Sequence, residues 1–174
     1  NRALLQQTMS KNKWEGCMKI SGKALWKQSG HKLKFYPSQN PENTGTASLV
    51  QHGVFQDASK FIEVETLTLD DFFEKEQLTT CRLIKIDVER AEHDLLQGFV
   101  GHLGRHAADF ILIEMEPAGP ARDLLIGHEY EGFQLLDGST LHPLGSRLER
   151  PIHDFLFASP RNVKAVRSLP QFKE

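Results

Sequence analysis

Two short apolar runs end in carboxylates, and that is where this sequence could do chemistry. Leu83-Ile84-Lys85-Ile86-Asp87-Val88 is followed by Glu89. Phe110-Ile111-Leu112-Ile113 is followed by Glu114 and Glu116. Runs of this kind, apolar on both faces and separated by a helical pattern, predict parallel strands in a βαβ unit. Open α/β sheets bind ligands at the carboxyl ends of their strands. If the two strands are parallel and adjacent, four acidic side chains gather at one rim. Such a cluster needs a cation, a hydrogen-bonded substrate or nearby helix-terminal N–H groups. Between the runs, Ala91 to about Leu103 has helical period. At about 100° per residue its apolar arc is centred on Glu92, which predicts a buried carboxylate in the first turn. A buried carboxylate must be paired or hydrogen-bonded. Glu89 as N-cap would put Glu92 at N3, reaching back to the backbone. His93 and Asp94 fall toward solvent on the same wheel.

The elements that position these residues follow from pattern. Residues 2–11 read as the tail of a helix, Cys17 to Leu25 as a strand, and Lys32 to Tyr36 as an edge strand. Phe61 to Leu67 alternates and ends at Thr68-Leu69-Asp70-Asp71, a capping-box start for a short helix over Asp70 to Gln77. A helix over Ala118 to about Gly127, a strand at Phe133 to Leu136 and a last strand at Ile152 to Ala158 complete an alternating α/β order. Pro37 to Gly45 is a turn-rich excursion. The segment Arg161 to Glu174, with four basic residues and one acidic, reads as a solvated tail.

Composition excludes several function classes. The chain has 174 residues, 21 Lys plus Arg and 23 Asp plus Glu, so no strong field points to nucleic acid or anionic lipid. The length suits a single domain, residues 1–174. Cys17 and Cys81 form no CxxC pair or metal-ligand spacing. They are expected as small buried groups in a reducing compartment, hence a cytoplasmic protein. No run of apolar residues is long enough to span a membrane. The histidines show no HxxxH or HExxH spacing and read as surface or structural groups, with His52 the one that could approach the rim. Gly98, Gly101 and Gly104 lie at a helix end, not in a strand-to-helix phosphate loop.

Three stretches resemble one family. They are Val64-Glu65-Thr66-Leu67-Thr68-Leu69-Asp70-Asp71-Phe72, then Leu83 through Glu92 (LIKIDVERAE), then Ile111-Leu112-Ile113-Glu114. Their order and spacing match the "TLDDF", "LLKIDVEGAE" and "ILxE" motifs of FkbM-type methyltransferases. Arg90 stands where the common pattern has Gly, and could pair with Glu89 or Glu92. The resemblance implies an α/β, Rossmann-like methyltransferase sheet with helices on both faces and a small β insertion. This chain would supply the third to seventh strands. The glycine-rich motif and the first two strands are expected before residue 1, leaving the fourth strand as an apolar edge prone to self-association.

The resemblance also implies methyl transfer from S-adenosylmethionine to a hydroxyl of a small molecule or sugar. Asp87 would be the substrate-orienting or basic group, with Glu92 and Glu114 orienting substrate or Asp87. Lys23, Ala24 and Leu25 would lie near the adenine, and Ser48 and Glu89 near the substrate. Two other readings stay open: a non-catalytic methyltransferase-like binding or assembly domain, and a metal-dependent α/β hydrolase using the acidic rim.

Overall fold

Apolar periodicity decides the layers. The structure, a computed structural model, describes residues 2–38, 47–49, 59–136, 139–145 and 153–173. Its centre is a five-stranded mixed sheet in the order β4-β5-β8-β6-β7. The strands are β4 (Cys81–Ile86), β5 (Ala108–Met115), β6 (Glu131–Leu136), β7 (Thr140–Pro143) and β8 (His153–Ala158). β4 and β5 are parallel, with Ile86 opposite Ile113. β8 runs antiparallel to both β5 and β6. The α/β architecture is therefore the one expected of a Rossmann-like methyltransferase sheet. β4 stands at its edge, also as expected.

Alternation along β5 sorts the two faces. Ile111, Ile113 and Met115 point to one side, where they pack with Ile86, Phe155 and Phe157 beneath a layer of helices. That layer comprises α2 (Leu69–Lys75), α3 (Glu92–Gln97), α4 (Val100–Leu103) and α5 (Pro120–Gly127), which contribute Phe73, Leu95, Leu96, Leu103 and Leu125. Full burial of one such side chain contributes about 1.5–3 kcal/mol. An exposed ion pair contributes about 0–1 kcal/mol, so this cluster dominates the fold. A smaller cluster of Phe133, Leu141, Ala158 and Val166 forms on the other face.

Val166 belongs to α6 (Val163–Arg167), which follows a short 3-10 turn at Pro160–Asn162. The segment expected as a solvated tail is thus docked on the sheet. Val166 is 1% exposed, Phe172 stacks edge-on to Phe133, and Arg161 is tied to Asp109. Its apolar residues Val163, Val166, Leu169 and Phe172 do recur every third residue, a signal that the basic composition of the segment masked.

A separate three-stranded sheet, ordered β1-β3-β2, holds β1 (Ala24–Leu25), β2 (Lys32–Phe35) and β3 (Ile62–Leu67). β2 is an edge strand, as its alternation suggested. The strand read over Cys17 to Leu25 shrinks to its last two residues and joins this sheet instead of the large one. The physical reason is local: the N–H groups of Cys17 and Met18 donate to Trp14 O, closing a turn that a strand cannot contain. Cys17 is accordingly exposed and Cys81 half-buried, not the buried pair expected. Before it, α1 (Arg2–Lys11) has no buried residue. Ile152, His52 and most of the Pro37 to Gly45 excursion lie outside the described residues.

The capping reading at Thr68 holds. Its hydroxyl accepts from Asp71 N at 3.0 Å. Asp70 does something the pattern did not suggest. Its carboxylate reaches α4 and accepts from Gly101 N at 3.0 Å and His102 N at 3.1 Å. The helix expected over Ala91 to Leu103 is accordingly two pieces, broken at Gly98. A Cβ there would lie 2.3 Å from Trp26 O, so only glycine lets the chains approach this closely.

Candidate functional site

The parallel register of β4 and β5 puts both strand ends at one rim. Ile86 faces Ile113, so the next residues, Asp87 and Glu114, are neighbours on the opposite face of the sheet. A cleft of about 220 Å³ opens beside them, lined by Asp87, Glu89, Glu92, His93, Glu114 and Arg122, among others. This is below the roughly 300–1,000 Å³ of a whole ligand pocket. It suits one small polar group or part of a larger ligand.

The turn after β4 is built from unusual backbone. Glu89 has φ 51° and Arg90 φ 72°, two successive non-glycine residues in the left-handed region. Each costs on the order of 1–2 kcal/mol relative to the right-handed form. Four contacts offset that cost. Arg90 N donates to Glu92 Oε1 at 2.9 Å. The N–H groups of Val88 and Glu92 also bear on the Glu92 carboxylate. Ser48 Oγ donates to Glu89 O at 2.6 Å.

Glu92 is 9% exposed, as the helical wheel required, and burial pushes its carboxyl above the ordinary range while these backbone donors pull it back. Glu89 is not the N-cap, however; Ala91 takes that position, because the left-handed residues delay the helix. Arg90 makes no ion pair with Glu89 or Glu92 among the described residues and is exposed.

At the rim itself, Glu114 accepts no hydrogen bond among the described residues. Glu114 is exposed by surface area, yet partial desolvation at the rim raises its carboxyl, and the charges of Asp87, Asp154 and Glu89 raise it further, against Lys85. Asp87 is half-exposed and lies 3.3 Å from Lys85 Nζ. Asp154, opposite Glu114 in the β5–β8 ladder, lies 3.8 Å from the same Nζ. Sequence reasoning missed Asp154 because only antiparallel pairing of the last strand brings it there. It placed His93 toward solvent, yet His93 lines the cleft.

The expected site residues divide into three groups. Asp87, Glu89, Glu92 and Glu114 meet at the cleft. Ser48 is 1% exposed and touches the turn through Glu89 rather than lining the cleft. Lys23, Ala24 and Leu25 sit apart on or beside β1, with Lys23 paired to Glu65 and Ala24 and Leu25 opposite Thr66 and Leu67.

Among the described residues no group of three or more His, Cys, Asp or Glu is placed to hold a metal ion, and no helix is long and apolar enough to cross a membrane. His102, the other notable histidine, is structural: its Nδ1 lies 2.7 Å from Asp70 Oδ1.

No curated protein and no solved structure matches this chain. A family model does: the methyltransferase FkbM domain matches residues 3–136, well over half of the sequence. With its strand-end carboxylates on the expected α/β sheet, the chain belongs to the FkbM methyltransferase domain family.

Proposed function

We propose that this protein transfers a methyl group from S-adenosylmethionine to a hydroxyl oxygen of a small molecule or sugar. The observation that carries the reading is the rim itself: Asp87 and Glu114 side by side at adjacent parallel strand ends, beside a small cleft whose lining holds more carboxylates than cationic side chains. This donor set fits a cationic methyl donor, whose sulfonium an acidic surface attracts. When bound, S-adenosylmethionine supplies the electrophilic methyl group. The protein's share is to align the acceptor oxygen and to take up its proton. Asp87 and Glu114 do both, by accepting hydrogen bonds from the acceptor hydroxyl.

Glu92 acts one step back. Its carboxylate holds the Arg90 amide and so fixes the left-handed turn that carries Glu89 into the cleft. Ser48 steadies the same turn from the far side. Lys23, Ala24 and Leu25 are assigned to the adenine end of the donor on the family resemblance.

The test uses the full-length protein with tritiated-methyl S-adenosylmethionine and a panel of sugar and small-molecule alcohols. The expected result is methyl incorporation into an alcohol, lost in Asp87→Asn, with calorimetric binding of the donor. Failure to bind the donor and to methylate any acceptor would sink the reading. Donor binding without transfer would favour a non-catalytic domain.

A further inference from the structure

Three carboxylates stand in one row on the same face of the sheet: Asp87 after β4, Glu114 on β5 and Asp154 on β8. The registers fix this row. Ile86 pairs with Ile113 and Glu114 pairs with Asp154, and the strands are neighbours in the order β4-β5-β8. Like charges directly opposite one another across strands are destabilising, so the row needs compensation. Among the described residues it comes from Lys85. Lys85 projects from β4 on the same face and reaches both outer members, 3.3 Å from Asp87 Oδ2 and 3.8 Å from Asp154 Oδ1. Its Nζ is within ion-pair distance of the outer two carboxylates and not of the middle one.

We propose that Lys85 and Asp154 are positioning residues that divide the labour in this row, pairing Asp87 and Asp154 with one cation and leaving Glu114 as the carboxylate that receives the acceptor's proton. The inference rests on the methyltransferase reading and goes further than it in two ways. It assigns the base, and it brings in Asp154, which lies beyond the residues matched by the family model. In the step, the acceptor O–H bond breaks, the proton passes to a Glu114 carboxylate oxygen, and the electron pair stays on the acceptor oxygen.

The geometry suits the assignment. β8 is hydrogen-bonded on both sides, to β5 and to β6, so Asp154 is presented from a central strand rather than a loop. Asp87 is fixed from below by Lys85, while Glu114 faces the cleft with no protein donor among the described residues. The raised proton affinity of Glu114 points the same way. Glu114 is raised, first by burial and then by its neighbours Asp87 and Asp154. The charged groups facing Glu114 are Lys85, Asp87 and Glu89 from β4 and its turn and Asp154 from β8. Arg90 and His93 approach from the start of α3, and Arg122 from α5.

The test reads Glu114 directly and needs no acceptor. Carbon-detected NMR would follow the Glu114 side-chain carboxyl through a pH titration of the full-length protein, with amide spectra as the check on folding. Asp154→Asn removes a like charge and should lower the Glu114 midpoint. Lys85→Met removes the cation and should raise it. Each displacement is expected to be on the order of half a pH unit, a modest value because the partners are half-exposed. Opposite displacements support the proposal. An unmoved midpoint in both folded variants, or displacement in the same direction, overturns it. Donor binding measured on the same samples keeps this outcome separate: loss of the methyltransferase reading would show as no S-adenosylmethionine binding, whatever Glu114 does.

Discussion

β5 carries a carboxylate near each end, and the two are treated in opposite ways. Asp109, near the strand's start, is held on all sides. Arg82 Nη1 donates to its Oδ2 at 2.9 Å, and Arg161 Nε and Asn162 Nδ2 donate to its Oδ1 at 2.9 and 3.1 Å. Arg161 and then Arg82 hold its carboxyl below the ordinary range. Glu114, near the strand's end, has like charges for neighbours and a raised carboxyl.

Both belong to one strand, which pairs with β4 as far as Ile113 and with β8 from Phe110 to Met115. What differs is satisfaction. The paired end spends its charge on docking the C-terminal segment to the sheet. The unpaired end keeps its charge available to a ligand. Electrostatic frustration at one end of an otherwise consistent element is a mark of function.

The comparison can be broken most directly through activity. Glu114→Gln should lower methyl transfer about 100-fold or more, the range of a lost proton-transfer group, and Asp87→Asn should lower it by loss of acceptor alignment, both with little change in folding. Asp109→Ala should leave turnover per folded molecule unchanged. If Asp109→Ala lowered turnover as much as Glu114→Gln does, the division between the two ends would be wrong.

Stability should show the reverse order. Asp109→Ala strips partners from Arg161 and Asn162 and is expected to cost about 1–2 kcal/mol in urea unfolding, a figure already discounted for the exposure of both arginines. For a chain of this length that lowers Tm by roughly 2–8 °C.

Acid sharpens the contrast, because the signs differ. Asp109 is lowered on folding, so its stabilisation is present above the unfolded carboxylate value of about 3.9 and is lost as pH falls through its folded value. Glu114 is raised, so its charge opposes folding above its folded value, and the penalty fades as pH falls toward the unfolded value of about 4.3. Glu114→Gln should therefore be slightly more stable than the parent at pH 7, by about a few tenths of a kcal/mol once solvent screening of this exposed group is counted, and equal to it near pH 4. Asp109→Asn should unfold earlier than the parent at pH 7, with the difference shrinking below pH about 4. Stability curves of the two variants with the same sign of pH dependence would contradict this account.

The smallest effect concerns the turn beside the raised end. Arg90→Gly removes a left-handed non-glycine residue and should stabilise by about 0.5–1 kcal/mol after the glycine's greater unfolded-state freedom is counted. Calorimetric Tm is the measurement. A loss of stability would mean that the Arg90 side chain contributes more than its backbone costs.

Much of this was legible in the sequence, and the reasons are local. Continuous apolar runs at Leu83–Val88 and Phe110–Ile113 determined two adjacent parallel strands, although β4, at the sheet edge, leaves Leu83 half-exposed. Helical period determined that Glu92 would be buried, and the Thr68 cap followed from side-chain chemistry within one turn. The motifs determined the family.

Tertiary structure alone decided the rest. The antiparallel return of β8 brought Asp154 beside Glu114, a pairing between residues distant in sequence that no local pattern encodes. Packing of α6 turned an expected tail into part of the core. The left-handed turn at Glu89 and Arg90, where the sequence offers no glycine, exists because Glu92 and Ser48 hold it from outside. Short-range patterns specify which groups are buried and where elements begin. Which charges meet is set by the register between strands, and register is settled only when the whole sheet packs.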